Sequence, residues 1–219
     1  MKSRHKMNTI ILTAMQRFDG YRIFCIVFLW PFCFNMANAQ IIWGAKVGLN
    51  ESQIIEKSNS ASASYGNRTG FQLGMVADVQ TSYFTFEPGI SYSQRGAKDD
   101  NQNYLYNCID IPLNFRYNMA KAGPVNVYLN AGPSLDFVLN AGYKMNNASY
   151  HTIGIGESYG TLNRTDIEME IGAGVFVYRY LIGINYSVSM FNTTNTETSN
   201  VYLNKVVSVT ATVLFGNPK

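Results

Sequence analysis

From residue 40 onward, apolar and polar residues alternate in eight separate stretches, and this period of two constrains the chain more than any single residue. A strand turns successive side chains to opposite faces, so each stretch reads as a strand with one apolar and one polar face. The strands fall at about 41–50, 68–79, 83–95, 104–117, 125–140, 165–178, 181–191 and 202–215. In the last, Val207, Val209, Ala211, Val213 and Phe215 oppose Ser208, Thr210 and Thr212. In the seventh, Ile182, Ile184, Tyr186, Val188 and Met190 oppose Gly183, Asn185, Ser187 and Ser189. The sixth sets Ile167, Met169 and Ile171 against Glu168 and Glu170; the fifth sets Val127, Leu129, Leu135 and Leu139 against Asn126, Asn130, Ser134, Asp136 and Asn140. No window of similar length has a helical period.

The gaps between those spans are about 17, 3, 8, 7, 24, 2 and 10 residues, so longer and shorter connections alternate. Short turns on one rim, long loops on the other and an even strand number describe an eight-stranded antiparallel up-and-down transmembrane β-barrel. Gln80-Thr81-Ser82, Lys121-Ala122-Gly123-Pro124 and Arg179-Tyr180 then lie on the periplasmic rim. Ring-bearing residues end the apolar faces there: Trp43, Phe84, Tyr117, Tyr180 and Phe215, with Phe71, Tyr92 and Phe137 at the other ends. Such rings suit the headgroup layer, where an apolar body meets a polar boundary. Trp43, Phe84, Tyr117, Tyr180 and Phe215 are therefore the expected membrane-interface aromatics.

The segment before residue 40 has a different character. Lys2, Arg4, Lys6, Arg17 and Arg22 precede an apolar block at 23–36, and Ala37-Asn38-Ala39 follows. A basic start, a short apolar core and an A-x-A site predict a signal peptide over 1–39 and a barrel domain over 40–219. The block is too short for a helical span of roughly 20 residues. Five of 17 basic and one of 14 acidic residues would leave with it, so the remaining balance is 12 − 13 = −1 and the net +3 belongs to the leader. Nothing then points to nucleic acid. Cys108 is the one cysteine after residue 39, too few for an internal disulfide or a cysteine metal site.

The polar faces carry Lys46, Asp78, Glu87, Arg95, Asp110, Arg116, Asp136, Glu168 and Glu170. An eight-stranded barrel is just wide enough for side chains to fill, so these charges are expected to form a structural network with Arg95 and Arg116 bridging carboxylates. No catalytic, cofactor or metal residue is expected. Lipid-modifying barrels use a serine with a histidine, and His151 is the one histidine after residue 39, in a loop with Ser149 and Ser158 nearby. A loop rich in Asn, Gly and Ser gives no reason for a nucleophile–base geometry, and Gly154-Ile155-Gly156 does not complete a dinucleotide motif.

Gly44-Ala45-Lys46-Val47-Gly48-Leu49-Asn50, Glu87-Pro88-Gly89-Ile90-Ser91-Tyr92-Ser93-Gln94-Arg95-Gly96, Ile109-Asp110-Ile111-Pro112-Leu113-Asn114-Phe115-Arg116-Tyr117 and Ala131-Gly132-Pro133-Ser134 together resemble the Bacteroidetes outer-membrane β-barrel family of porin-family or PorT-like proteins. The resemblance covers nearly all of 40–215; Cys108-Ile109-Asp110 departs from it, because an acidic residue is expected one position nearer Cys108. It implies an eight-stranded barrel with no known active site. The expected protein is a non-enzymatic barrel of a Gram-negative outer membrane, with a structural, adhesive or secretion-accessory role. Its partners would be outer-membrane lipid and a protein met through outer loops 51–66 and 141–164. The rival is a soluble periplasmic lipocalin-like barrel, with the apolar faces turned inward around a hydrophobic ligand.

Overall fold

The computed structural model describes residues 40–57, 62–81, 84–98, 102–122, 125–145, 150–156, 162–194 and 201–216. The expected signal peptide lies outside the described residues. The strands are β1 (Gln40–Lys57), β2 (Ser62–Ser64), β3 (Arg68–Gln80), β4 (Thr85–Lys98), β5 (Gln102–Ala122), β6 (Val125–Met145), β7 (Tyr150–Thr152), β8 (Thr165–Val177), β9 (Tyr180–Ser189) and β10 (Val201–Leu214). Eight of them form a ring in the order β1, β3, β4, β5, β6, β8, β9, β10, and β10 pairs back onto β1. Every pairing is antiparallel: Leu49 of β1, for instance, lies opposite Phe71 on one side and Val209 on the other. Closure leaves no sheet edge, which a strand-built structure in hydrocarbon requires.

Orientation decides between the two expected barrels. Val209, Ile184 and Met169 are 50, 60 and 41% exposed, whereas Thr210, Asn185 and Glu168, one residue on or back, are buried. The apolar faces look outward and the polar faces enclose the centre. A lipocalin-like barrel needs the opposite arrangement and is excluded by it.

The outer ends differ from the sequence expectation. β1 runs to Lys57 rather than residue 50, β6 to Met145 rather than 140, and β5 begins at Gln102. β2 folds back on β1, and β7 on β6. Much of the stretches read as loops 51–66 and 141–164 is therefore hydrogen-bonded sheet. Alternation marks a strand only where its two faces meet different surroundings; beyond the lipid both faces meet water, and the signal fades while the ladder continues.

A bulge explains a second difference. The β5–β6 register shifts between Asn107 and Cys108, which face Asn140 and Val138, so Leu139 is the extra residue. An inserted residue reverses which side the following residues occupy. Asn140, read from its period as inward, is exposed and bonds Asn107 across the ladder at 2.6 Å, while Ala141 is buried. The turn from β8 to β9 is Tyr178-Arg179 rather than Arg179-Tyr180, with Tyr178 at φ 55°. Two-residue hairpins favour a positive φ there, because it matches the strand twist.

Candidate functional site

The lumen is layered from its periplasmic end upward. Inward positions near the short turns are apolar: Ile42, Val76, Phe176, Leu181 and Leu214 form a buried cluster with Tyr128. Tyr128 leans along the wall over Gly174, its register partner on neighbouring β8, and Gly183 on β9, where a Cβ on either glycine would meet its hydroxyl at 2.5 Å. Those two glycines make room for the ring. Above the cluster lies Arg116, 2% exposed, bonded to Asp78 at 2.6 and 2.7 Å and to Glu87. Its guanidinium also lies 5.6 Å from the Tyr128 ring and 5.7 Å from that of Phe176. The charge thus caps the apolar plug through cation–π contact while two carboxylates accept from its two Nη groups.

The middle layer is built of amides and hydroxyls. Asn114 donates to Glu170 at 2.6 Å, Asn130 to Asn185 at 3.0 Å, and Asn185 to Thr210 at 3.4 Å. Lys46 is buried beside a cavity of about 10 Å³ that Glu170, Asp110 and Arg95 also line. Among the described residues no carboxylate lies within ion-pair distance of Lys46.

Arg95 holds the upper layer. It bridges Asp110 at 2.9 Å, Asp136 at 2.8 Å and Glu168 at 2.6 Å, three strands' carboxylates on one cation. Asn204 donates to Glu168 at 3.0 Å, Ser134 to Asp136 at 2.7 Å, and Asn50 to Ser93 at 2.8 Å. All nine charged residues expected on polar faces lie in this lumen: three cations against six carboxylates, a formal excess of three negative charges.

Outside the barrel, Trp43, Tyr117, Tyr180 and Phe215 are exposed at the ends of their apolar faces. Phe84 is half-buried against Phe115, with ring centroids 5.8 Å apart. His151 sits on β7 rather than in a loop, exposed and stacked on Tyr143 with centroids 5.4 Å apart. Ser149 and Ser158 lie outside the described residues.

Two groups escaped the sequence reading. Buried Asn50, Asn114, Asn204, Ser52 and Ser93 carry much of the lumen bonding, and Ser52 spans to the Gly96 carbonyl at 2.9 Å. Tyr65, Tyr104, Tyr106 and Tyr202 line a cavity of about 270 Å³ at the outer mouth. Tyr104 and Tyr106 share a face two residues apart, a signal available to period-two reading.

Residues 36–195 match the family model of the outer membrane protein beta-barrel domain. No curated protein matches the chain. Among solved structures, Neisserial surface protein A is similar at 17% identity and TM-score 0.44, covering 77% of this chain and 96% of its own. Ail, the attachment invasion locus protein of Yersinia pestis, shares 12% identity at TM-score 0.41, with 78% and 98% covered. The outer membrane enzyme PagL shares 15% at TM-score 0.44, with 75% and 98% covered. With the family match spanning most of its length and its strands closed around a polar centre, this chain belongs to the outer membrane β-barrel domain family and resides in the outer membrane.

Proposed function

We propose that this is a closed, non-enzymatic outer-membrane barrel of the Bacteroidetes porin-family or PorT-like type, with a structural, adhesive or secretion-accessory role carried by the outer ends of its strands. The plugged lumen carries the reading. An eight-stranded barrel has room only for its own side chains. Here the plug of Ile42, Val76, Phe176, Leu181 and Leu214, sealed by Tyr128 and Arg116, fills the periplasmic end. The cavities beside Arg95, of about 10 and 30 Å³, suit single waters and not a permeating solute. The extended ends of β1, β5 and β6, with the β2 and β7 hairpins, supply a stiff rim for a protein partner.

Among the described residues His151 is exposed, stacked on Tyr143 and hydrogen-bonded to no nucleophile, which supports the non-enzymatic part, because a general base needs such reach. Trp43, Tyr117, Tyr180 and Phe215 would anchor the periplasmic boundary in the headgroup layer. The test is single-channel recording in planar bilayers, with lipid A profiling of cells carrying His151→Ala. The reading expects no conductance steps and an unchanged lipid profile. Stepwise ion current from the unmodified protein, or loss of a lipid modification in the variant, would refute it.

A further inference from the structure

We propose that the outer mouth is a binding site for a small organic cation, an ammonium or amine group carried on a compact apolar body. The cavity there is about 270 Å³, just below the roughly 300–1,000 Å³ of drug-sized sites, so its ligand is small. Ile54 of β1, Tyr104 and Tyr106 of β5 and Tyr202 of β10 line it from the barrel's strands, and Tyr65, Thr193 and Thr194 from the connections between strands.

Three observations select charge and sign. First, tyrosine rings present electron-rich faces, which attract cations most strongly where water is scarce. Second, apart from the hydroxyl of Tyr106, the hydroxyl hydrogens of the tyrosines and threonines around the cavity are already committed. Tyr65 and Tyr202 both donate to Glu56, at 3.3 and 3.0 Å, and Tyr104 donates to Gln102. Thr193 donates to the Tyr202 carbonyl at 3.0 Å, and Thr194 to Asn192 at 3.2 Å. A hydroxyl whose hydrogen is spent offers a ligand only lone pairs, so the lining welcomes donors and repels anions.

Third, the floor is acidic and short of donors. Ile54, Tyr106, Leu162 and Thr193 also line the smaller cavity below, whose other walls include Asp136, Asp166, Arg95 and Asn204. The Asn204 Oδ1 and Glu168 Oε2 atoms are buried acceptors without a hydrogen-bond partner. The described residues lining the larger cavity include no lysine or arginine. With the lumen's formal excess of negative charge beneath it, the field at the mouth favours a cation. An anionic or neutral carbohydrate ligand lacks that match. This inference stands apart from the adhesive reading, since it uses no loop outside the described residues.

The experiment compares three probes of nearly one shape on the full chain in detergent micelles: choline, its neutral isostere 3,3-dimethylbutan-1-ol, and 3,3-dimethylbutanoate. Titration calorimetry and tyrosine fluorescence read binding. Choline is expected to bind saturably and at least about tenfold tighter than the alcohol, with the anion weakest. Tyr106→Leu and Glu56→Gln should each weaken choline at least about fivefold while retaining heat-modifiable migration on gels, the sign of a folded barrel. Equal affinity for alcohol and choline, tighter binding of the anion, or no saturable choline binding would each overturn the proposal. Should a variant fail the gel control, the probe series on the unmodified protein decides alone.

Discussion

The two ends of the lumen use the same device, an arginine among carboxylates, to opposite effect. Arg116 at the periplasmic end meets Asp78 and Glu87 on its donor side and the rings of Tyr128 and Phe176 beside it. Arg95 at the outer end meets three carboxylates and sits under an open, aromatic mouth. One arginine closes a dry plug; the other gathers like charges that repel one another in its absence. The lesson is that an ion pair's role in a narrow barrel is set by what lies next along the axis, oil or water.

The sharpest break of that comparison is Arg95→Leu. Removing one partner of a buried pair costs roughly 3–5 kcal/mol, and stranding Asp110, Asp136 and Glu168 together puts the expected loss at the upper end of that range. Urea unfolding from lipid vesicles reads it. A variant as stable as the parent would contradict the assignment.

Arg116→Leu should cost less, near the lower end of the same roughly 3–5 kcal/mol, since Gln80 still donates to Asp78 at 3.1 Å and leucine extends the apolar plug. A loss exceeding that of Arg95→Leu would reverse the comparison. Tyr128→Ala empties the ring's place against Gly174 and Gly183, for which about 3 kcal/mol is expected from large-to-small replacement. The same variant tests closure: brief current steps in planar bilayers, absent from the parent, are expected once the plug is thinned. The smallest effect is Tyr178→Gly at the β8–β9 turn, where relief of the positive φ is offset by glycine's freedom in the unfolded chain. The expected change is a gain below about 1 kcal/mol by the same unfolding assay.

How far the sequence spoke follows from where alternation has a physical cause. Facing lipid on one side and a filled lumen on the other, the central spans of β8, β9 and β10 display their period plainly, and Ile167, Ile184 and Val209 face outward where it places them. Topology was legible too, because turn lengths alternate with the two rims. The period misleads at Asn140, since the bulge at Leu139 has no composition mark of its own. It is silent at Ser52–Lys57 and Ala141–Met145, where both faces leave the lipid. The nine lumen charges were visible as residues on polar faces, but their partners were not: pairing Arg95 with Glu168 joins β4 to β8 across the barrel, a contact that depends on stagger and closure. The tyrosine mouth needed four strand ends and three connections brought together by the same closure, so no local window contains it.

The most direct measurement places a tryptophan at Ile184, with Trp30 and Trp43 replaced by phenylalanine, and reconstitutes the protein in lipids brominated along their acyl chains. The outward apolar face predicts strong quenching by the brominated lipid and little by aqueous iodide. Fluorescence indifferent to the bromines, from a chain that still migrates as a folded barrel, would contradict it.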